Sequence, residues 1–462
     1  MKKPKPQSEG IFIFMLLVVV FLFLAHFSPA HAGNNAGGAF SHWPDTGQTK
    51  CYDNTGVISC PDPGDPFYGQ DAQYQGPQRS YTKLGYGGVE LSDSATQEDG
   101  WIMTRDNVTG LIWEIKTDDG SIHDKDNYYT WCDDNSDTNG GYQGACDGSN
   151  DTKDFIAALN SANFGGYSDW RLPTIKELAS LVNSNIPYLE CAVVDKAYFP
   201  NMICSDYWSC TSDLDDNTWA FIVDMFNGTI RTHYKDNIFG FVIAVRSDKP
   251  ISVPQFTDNH DGTITDRMNG LMWQKCTMGR TYDEFTEGCG AWTTATFNWK
   301  EALEACENCS LAGYNDWRLP NRNELLSIVD YSKSYPAVNT DYFPLSQYYY
   351  GYYWSSSTNS SYPEKAQAVD FGSGYVPCGE HSGFSKVGYH FYVRCVRSIE
   401  FLPGDSDGDG DVDGANAAGF ADAYGSSPGD PNYVKAYNLD ETPGIGEGDL
   451  VIFAEHFGEN GF

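Results

Sequence analysis

Apolar and polar positions follow three rhythms along this chain, and each predicts a different element. At the start, Ile11 to Ala25 is an unbroken apolar run behind Lys2, Lys3 and Lys5, with Ala30-His31-Ala32 as a small-x-small cleavage site. Charge, length and cleavage chemistry predict a secretory signal peptide over 1–32, the run being near the short limit for a membrane span. Later apolar stretches are shorter, so no membrane insertion is expected after cleavage. A helical rhythm appears at Leu178, Leu181 and Val182, and again at Leu325, Ile328 and Val329. Each follows a capping box, with Thr174 and Asn321 standing three residues before Glu177 and Glu324. Elsewhere short aromatic and β-branched runs are cut by Gly, Asn and Asp. Asp261–Asp266 followed by Gly270–Trp273 reads as a hairpin. Many short strands with few helices predict an α+β chain.

The pattern occurs twice, in order. Asp106-Asn107-Val108-Thr109-Gly110-Leu111-Ile112-Trp113 matches Asp266-Arg267-Met268-Asn269-Gly270-Leu271-Met272-Trp273. Gly166-Tyr167-Ser168-Asp169-Trp170-Arg171-Leu172-Pro173 matches Gly313-Tyr314-Asn315-Asp316-Trp317-Arg318-Leu319-Pro320. Tyr207-Trp208-Ser209 matches Tyr353-Trp354-Ser355, and Val245-Arg246-Ser247 matches Val396-Arg397-Ser398. Two domains follow, at 98–248 and 255–400, joined by a linker at 249–254 and preceded by an extended, loop-rich segment at 33–97. Trp170, Trp317, Arg171 and Arg318 read as core packing and buried ion pairs.

A third repeat closes the chain. Asp405, Asp407, Asp409, Asp413 and Asn416 supply oxygens at positions 1, 3, 5, 9 and 12 of a loop, with Gly410 at 6 and the Asp411 carbonyl at 7. That spacing suits Ca²⁺, a hard cation that takes six to eight oxygens. After 33 residues Asn438, Asp440, Thr442, Gly444 and Asp449 repeat the loop. Pro443 and Gly446 stand where Gly410 and Asp413 did, so the second loop is expected to hold calcium less well. The helix after each loop repeats too, Phe453-Ala454 overlying Phe420-Ala421.

The Asp-Trp-Arg-Leu-Pro signature and the ordered repeat resemble the Lcl C-terminal-domain family, named for a Legionella collagen-like adhesin. The resemblance covers both copies and implies two C-type-lectin-like domains, an architecture that formylglycine-generating enzymes share. The paired loops over 402–462 resemble a type I dockerin, which implies a small all-α, paired EF-hand module and a cohesin-like docking partner. Positions 10 and 11 of its loops read Gly414-Ala415 and Glu447-Gly448 rather than the usual hydroxyl pairs.

Composition narrows the partners. The formal charge is −34, and loss of the leader's three lysines and Glu9 takes it to about −36. Such a surface repels phosphate backbones, so nucleic acid is excluded. It also opposes the sulfated polysaccharides that the namesake adhesin's family implies, and favours a neutral glycan or a surface protein. Exposed tyrosines such as Tyr348, Tyr349, Tyr350, Tyr352 and Tyr353 could stack on sugar rings, or fill a core.

Thirteen cysteines in an exported chain imply disulfides. Cys306 and Cys395 align with Leu159 and Ala244 of the first copy, and their joint absence there pairs them. Proximity suggests Cys51–Cys60, Cys132–Cys146, Cys191–Cys204 and Cys276–Cys289, leaving Cys210, Cys309 and Cys378. No His-Glu-x-x-His or phosphate-binding glycine loop occurs, and no catalytic residue is assigned. The expectation is a secreted, cell-surface or periplasmic calcium-binding protein with lectin-like modules for adhesion. The alternative is a dockerin-bearing polysaccharide-degrading or formylglycine-generating-like enzyme.

Overall fold

The computed structural model describes residues 42–399, 412, 414–427, 439 and 444–458, apart from 147, 149, 188–189, 237–238, 249–255, 291–294, 346–350 and 378–383. The signal peptide, the linker, Tyr348–Tyr350 and Cys378 therefore lie outside the described residues. The chain divides into a large unit, 35–397, and a unit that includes 398–462. The large unit is a mixed α/β body of small, mostly antiparallel sheets with few helices, and it holds both copies.

In each copy a four-stranded sheet brings the two ends of the domain together. The first has order β3-β4-β5-β9, built from Tyr81–Leu84, Met103–Asp106, Leu111–Glu114 and Val245–Ser247. The second has order β10-β11-β12-β18, from Phe256–Asp258, Thr263–Asp266, Leu271–Gln274 and Val396–Ser398. The β11–β12 hairpin expected from sequence pairs Ile264 with Trp273. Its turn ends on Gly270 at φ +64°, as the equivalent turn ends on Gly110 at +74°, a left-handed conformation that glycine adopts without steric cost. Strand β3 lies inside the segment read from sequence as loop-rich lead-in. It pairs along β4 from Tyr81↔Asp106 to Leu84↔Met103, so the first domain's sheet starts before residue 98.

A three-stranded sheet completes each copy. It comprises β6 to β8 (Asp206–Ser212, Trp219–Asp224, Thr229–Tyr234) in one, and β15 to β17 (Tyr352–Thr358, Lys365–Asp370, Phe384–Ser385) in the other. Both first strands slip register after the shared tryptophan, between Trp208 and Ser212 and between Trp354 and Thr358. Helices α1 (Thr152–Ser161) and α2 (Ile175–Ser180) correspond to α3 (Trp299–Glu307) and α4 (Arg322–Ser327). Thr174 with Glu177 and Asn321 with Glu324 form complete capping boxes.

The two copies do not hang on a linker as separate beads. One apolar core runs through both, joining Ile175, Leu178 and Val223 to Leu325, Val369 and Phe371. Ile230 and Val376, equivalent positions, exchange backbone hydrogen bonds at 3.0 and 3.2 Å, which places a local two-fold relation between the copies. Lys176 Nζ donates to the Ser327 carbonyl and Arg322 to the Gly228 carbonyl. Before entering its own domain the leading segment crosses the second one. Gln48 exchanges two hydrogen bonds with Thr358, Asn323 donates to the Pro44 carbonyl, and Tyr74 donates to Glu307.

Five disulfides, Cys51–Cys60, Cys132–Cys146, Cys191–Cys204, Cys276–Cys289 and Cys306–Cys395, fall at the pairs read from the sequence. The last closes an 89-residue span and fixes α3 beside β18.

Candidate functional site

The repeated motif Gly-Tyr-x-Asp-Trp-Arg-Leu-Pro is a clasp, its tyrosine, aspartate and arginine each paired within the domain. Asp169 and Asp316 hold the closing-strand arginines, Arg246 and Arg397, at 2.8 Å. Those guanidiniums also lie over the rings of Tyr167 and Tyr314, at 3.7 and 3.9 Å from the centroids. Trp170 and Trp317 are buried. Arg171 and Arg318 make bidentate pairs with Glu177 and Glu324 at 2.6–2.7 Å. The same carboxylates accept the N–H groups of Thr174 and Asn321, so one glutamate both caps a helix and neutralises an arginine.

Other buried charges support local structure, and sequence reading missed them because no motif marks the near pairs and the partners of Lys235, Lys386 and Asp71 include residues remote in the chain. Glu114 meets Lys116 at 3.2 Å and His123 Nδ1 at 2.8 Å. Burial raises its pKa, but Lys116, His123 and the Ala244 N–H outweigh that and hold it below the usual carboxylate range. Lys235 lies over Trp131 and Lys386 over Trp299, and burial lowers them to about 8 and about 6. Asp71 is buried where the leading segment docks, accepting from Thr46 and Ser357, and burial pushes it up to about 7. Asp118, Asp124 and Asp126 converge near the surface, but Lys125 already pairs with two of them.

Tyrosines offered for ring stacking resolve differently. Tyr353 is fully buried, stacked on Phe371 at 4.5 Å and hydrogen-bonded to Thr277, because its side of β15 faces the core. Tyr352 packs against Phe384 and Phe391. Neither is an open sugar platform. Cys395 is bonded to Cys306, while burial raises the thiol pKa of Cys210 and Cys309, so neither free thiol is a ready thiolate.

In the C-terminal unit, Asp405, Asp407, Asp409, Asp411, Asp413, Asn438, Asp440 and Thr442 lie outside the described residues. Asn416, Gly444 and Asp449 lie inside. Asn416 and Asp449, position 12 of each loop, are buried, in helices α5 (Gly414–Ala423) and α6 (Glu447–His456) respectively. The Asp449 carboxylate accepts the N–H groups of Gly446 and Leu439, at 2.7 and 2.6 Å, which ties both residues to the first turn of α6. Gly444 takes φ +101°. Val412 and Ile445, position 8 of each loop, share a core with Phe420, Ala423 and Phe453. Each copy also closes on the other. Gly425 N–H donates to the Ile445 carbonyl and Gly458 N–H to the Val412 carbonyl, both at 2.7 Å, and each pair differs by the 33-residue repeat. The described residues thus carry matching contacts at positions 33 residues apart, and the oxygen donors among them, Asn416, Asp449 and the Gly444 carbonyl, are of the type a hard cation takes.

No curated protein and no solved structure matches the chain. The Lcl C-terminal domain family matches residues 102–246 and 262–397, more than half the chain and the same two copies that the clasp and sheets define. The chain therefore belongs to the Lcl C-terminal domain family and carries that domain twice in tandem.

Proposed function

We propose that this is an exported, adhesin-like protein whose tandem domains bind a neutral glycan or a surface protein and whose C-terminal unit binds calcium. The observation that carries the reading is the fusion of two family domains around one core, with their signature residues committed to the scaffold. A rigid double domain presents fixed loops to a partner, which suits binding rather than turnover. The closing strand beside the opening strands, and the helix after Arg-Leu-Pro, are in keeping with a C-type-lectin-like architecture. Disulfides fit an oxidising compartment, secreted, surface or periplasmic. Among the described residues no helix is long and apolar enough to cross a membrane.

Calcium would be held by Asp405, Asp407, Asp409, Asp413 and Asn416 with the Asp411 carbonyl, and less tightly by Asn438, Asp440, Thr442, Asp449 and the Gly444 carbonyl. It would neutralise clustered carboxylates that otherwise repel one another, so binding and ordering of the paired helices are coupled. The EF-hand-like pair would then serve as an anchor or as the docking face for a cohesin-like partner.

A glycan array probed with the mature chain, with calcium and with chelator, tests the binding function, and calorimetry tests the metal. Asp405→Ala should abolish the stronger calcium heat and Thr442→Ala should leave it. Absence of calcium heat in the wild-type chain overturns the metal assignment. Catalytic shortening of any arrayed polysaccharide overturns the binding class.

A further inference from the structure

The two three-stranded sheets occupy equivalent places in their copies, and at one register pair they have diverged. In the first copy Trp219 on β7 stands opposite Tyr234 on β8, and in the second Lys365 on β16 stands opposite Ser385 on β17. The next residue of each fixes the equivalence, since Lys235 lies over Trp131 as Lys386 lies over Trp299. Phe221, two residues on from Trp219 and on the same face, packs edge-on against Tyr331 of the second copy, ring centroids 4.9 Å apart. Trp219 lies past that contact and is 36% exposed, an indole in water where the other copy carries a lysine.

A single exposed aromatic is ordinary, but this one has a built surround. Trp219 meets Tyr234 edge to face, centroids 6.0 Å apart and planes at 69°, so the two rings form a corner. Tyr142 enters from the loop closed by Cys132–Cys146 and donates its hydroxyl to the carboxylate of Asp236, two residues beyond Tyr234. On the other side the β6–β7 turn carries Asp216 and Asn217. Asp216 accepts from the Thr218 N–H and hydroxyl at 3.1 and 2.5 Å. Those bonds, with a weaker one from Trp219, hold it below the usual carboxylate range. Loop and turn approach closely, since a Cβ on Gly141 would lie 3.1 Å from Asn217 Nδ2. Lys235 donates to the Asn139 and Tyr142 carbonyls and to Ser212 Oγ, each at 2.9 Å, which ties the loop to the sheet.

This is the chemistry that a sugar ring meets well. The C–H face of a pyranose stacks on an indole, and its hydroxyls donate to carboxylates already held in place. Asp213 and Asp215 in the same turn add negative potential, which turns away uronates and sulfated sugars. We propose that Trp219 and Tyr234 form the platform for a neutral sugar ring, with Asp216, Asn217 and Asp236 as its hydroxyl partners. The proposal rests on the binding function above and names its sugar site. The second copy, with Lys365 and Ser385 in those places, has no such platform, so affinity does not come from two equal modules acting through avidity.

The test uses the mature full chain and saturation-transfer NMR with tetramers of glucose, mannose, galactose and N-acetylglucosamine. Tetramers of galacturonate and of glucosamine serve as the anionic and cationic comparisons. Transfer to at least one neutral tetramer is expected, strongest on the C–H protons of one ring face. Trp219→Ala should cut it about fivefold or more, whereas Trp219→Phe, which keeps an aromatic face, should retain most of it. Asp236→Asn should weaken it as well. Trp219→Lys with Tyr234→Ser, the pair with which the second copy folds, should abolish transfer while circular dichroism and Tm stay near wild type. If Trp219→Ala and the double variant lower Tm but leave transfer unchanged, the rings are only a cross-strand pair and the proposal fails. Transfer to the charged tetramers alone also overturns it. Array binding that persists undiminished in the double variant overturns the platform but leaves the binding function standing. Absence of glycan and protein binding altogether removes both.

Discussion

Replacing Cys306 and Cys395 with the residues the first copy uses, Leu159 and Ala244, isolates what the long disulfide contributes. Both cysteines are fully buried, as are Leu159 and Ala244, so Cys306→Leu with Cys395→Ala repacks the site in a form the fold already accommodates. What is lost is the constraint on the unfolded chain. A span of 89 residues corresponds, in the chain-entropy description, to about 4–5 kcal/mol. The 13-residue span of Cys276–Cys289 corresponds to about 3 kcal/mol. Urea unfolding of the mature chain, followed by tryptophan fluorescence and far-ultraviolet circular dichroism, gives the difference by linear extrapolation. The 306/395 variant should lose about 4–5 kcal/mol, and Cys306→Ala with Cys395→Ala should lose more, through the cavity left behind. A loss under about 1.5 kcal/mol, or one smaller than that of Cys276→Ala with Cys289→Ala, would refute the reasoning. It would mean that the shared core already restricts the opened chain.

Glu324→Ala should cost about 3–5 kcal/mol, because it strands the buried Arg318 and removes a helix cap, whereas Glu177→Ala should cost less, since the Arg171 side chain is 31% exposed. Equal losses in thermal or urea unfolding would contradict this. Asp71 has a folded pKa near 7 against an ordinary value of 3.8, so its ionisation opposes folding. The penalty is absent below about pH 4, grows through the interval and is complete above about pH 7. Asp71→Asn should therefore gain stability relative to wild type on going from pH 5 to pH 8, by at most about 4 kcal/mol at the higher pH. The same difference at both pH values would show that Asp71 does not titrate in that window. Cysteines introduced by Leu159→Cys with Ala244→Cys should bond to each other and raise Tm, as peptide mapping without reduction and calorimetry would report.

Much of the architecture was legible in the sequence because its signals are local or duplicated. Capping boxes need only three residues, and the hairpin at Thr263–Gln274 needs only alternation and a glycine turn. The Cys306–Cys395 bond spans 89 residues yet was readable, because the first copy lacks both partners together. The spacing of oxygens from Asp405 to Asn416 is likewise a local signal, and the calcium site proposed above rests on it alone. Tertiary structure decided what depends on meetings between remote segments. Nothing near Tyr81–Leu84 announces that it pairs with the strand at Met103–Asp106, because a four-residue strand is short enough to be lost among polar turns. Nothing in a tandem repeat with a short linker says whether two domains hang apart or share a core, since each apolar face looks the same whether it packs at home or on its twin. The small cleft between the copies, lined by Ser184 and Gln367, is the clearest case. Ser184 and Gln367 read as ordinary surface residues, 183 positions apart. Only the two-fold contact, which fills one corner with Phe221 and Tyr331, leaves the other polar, buried and open.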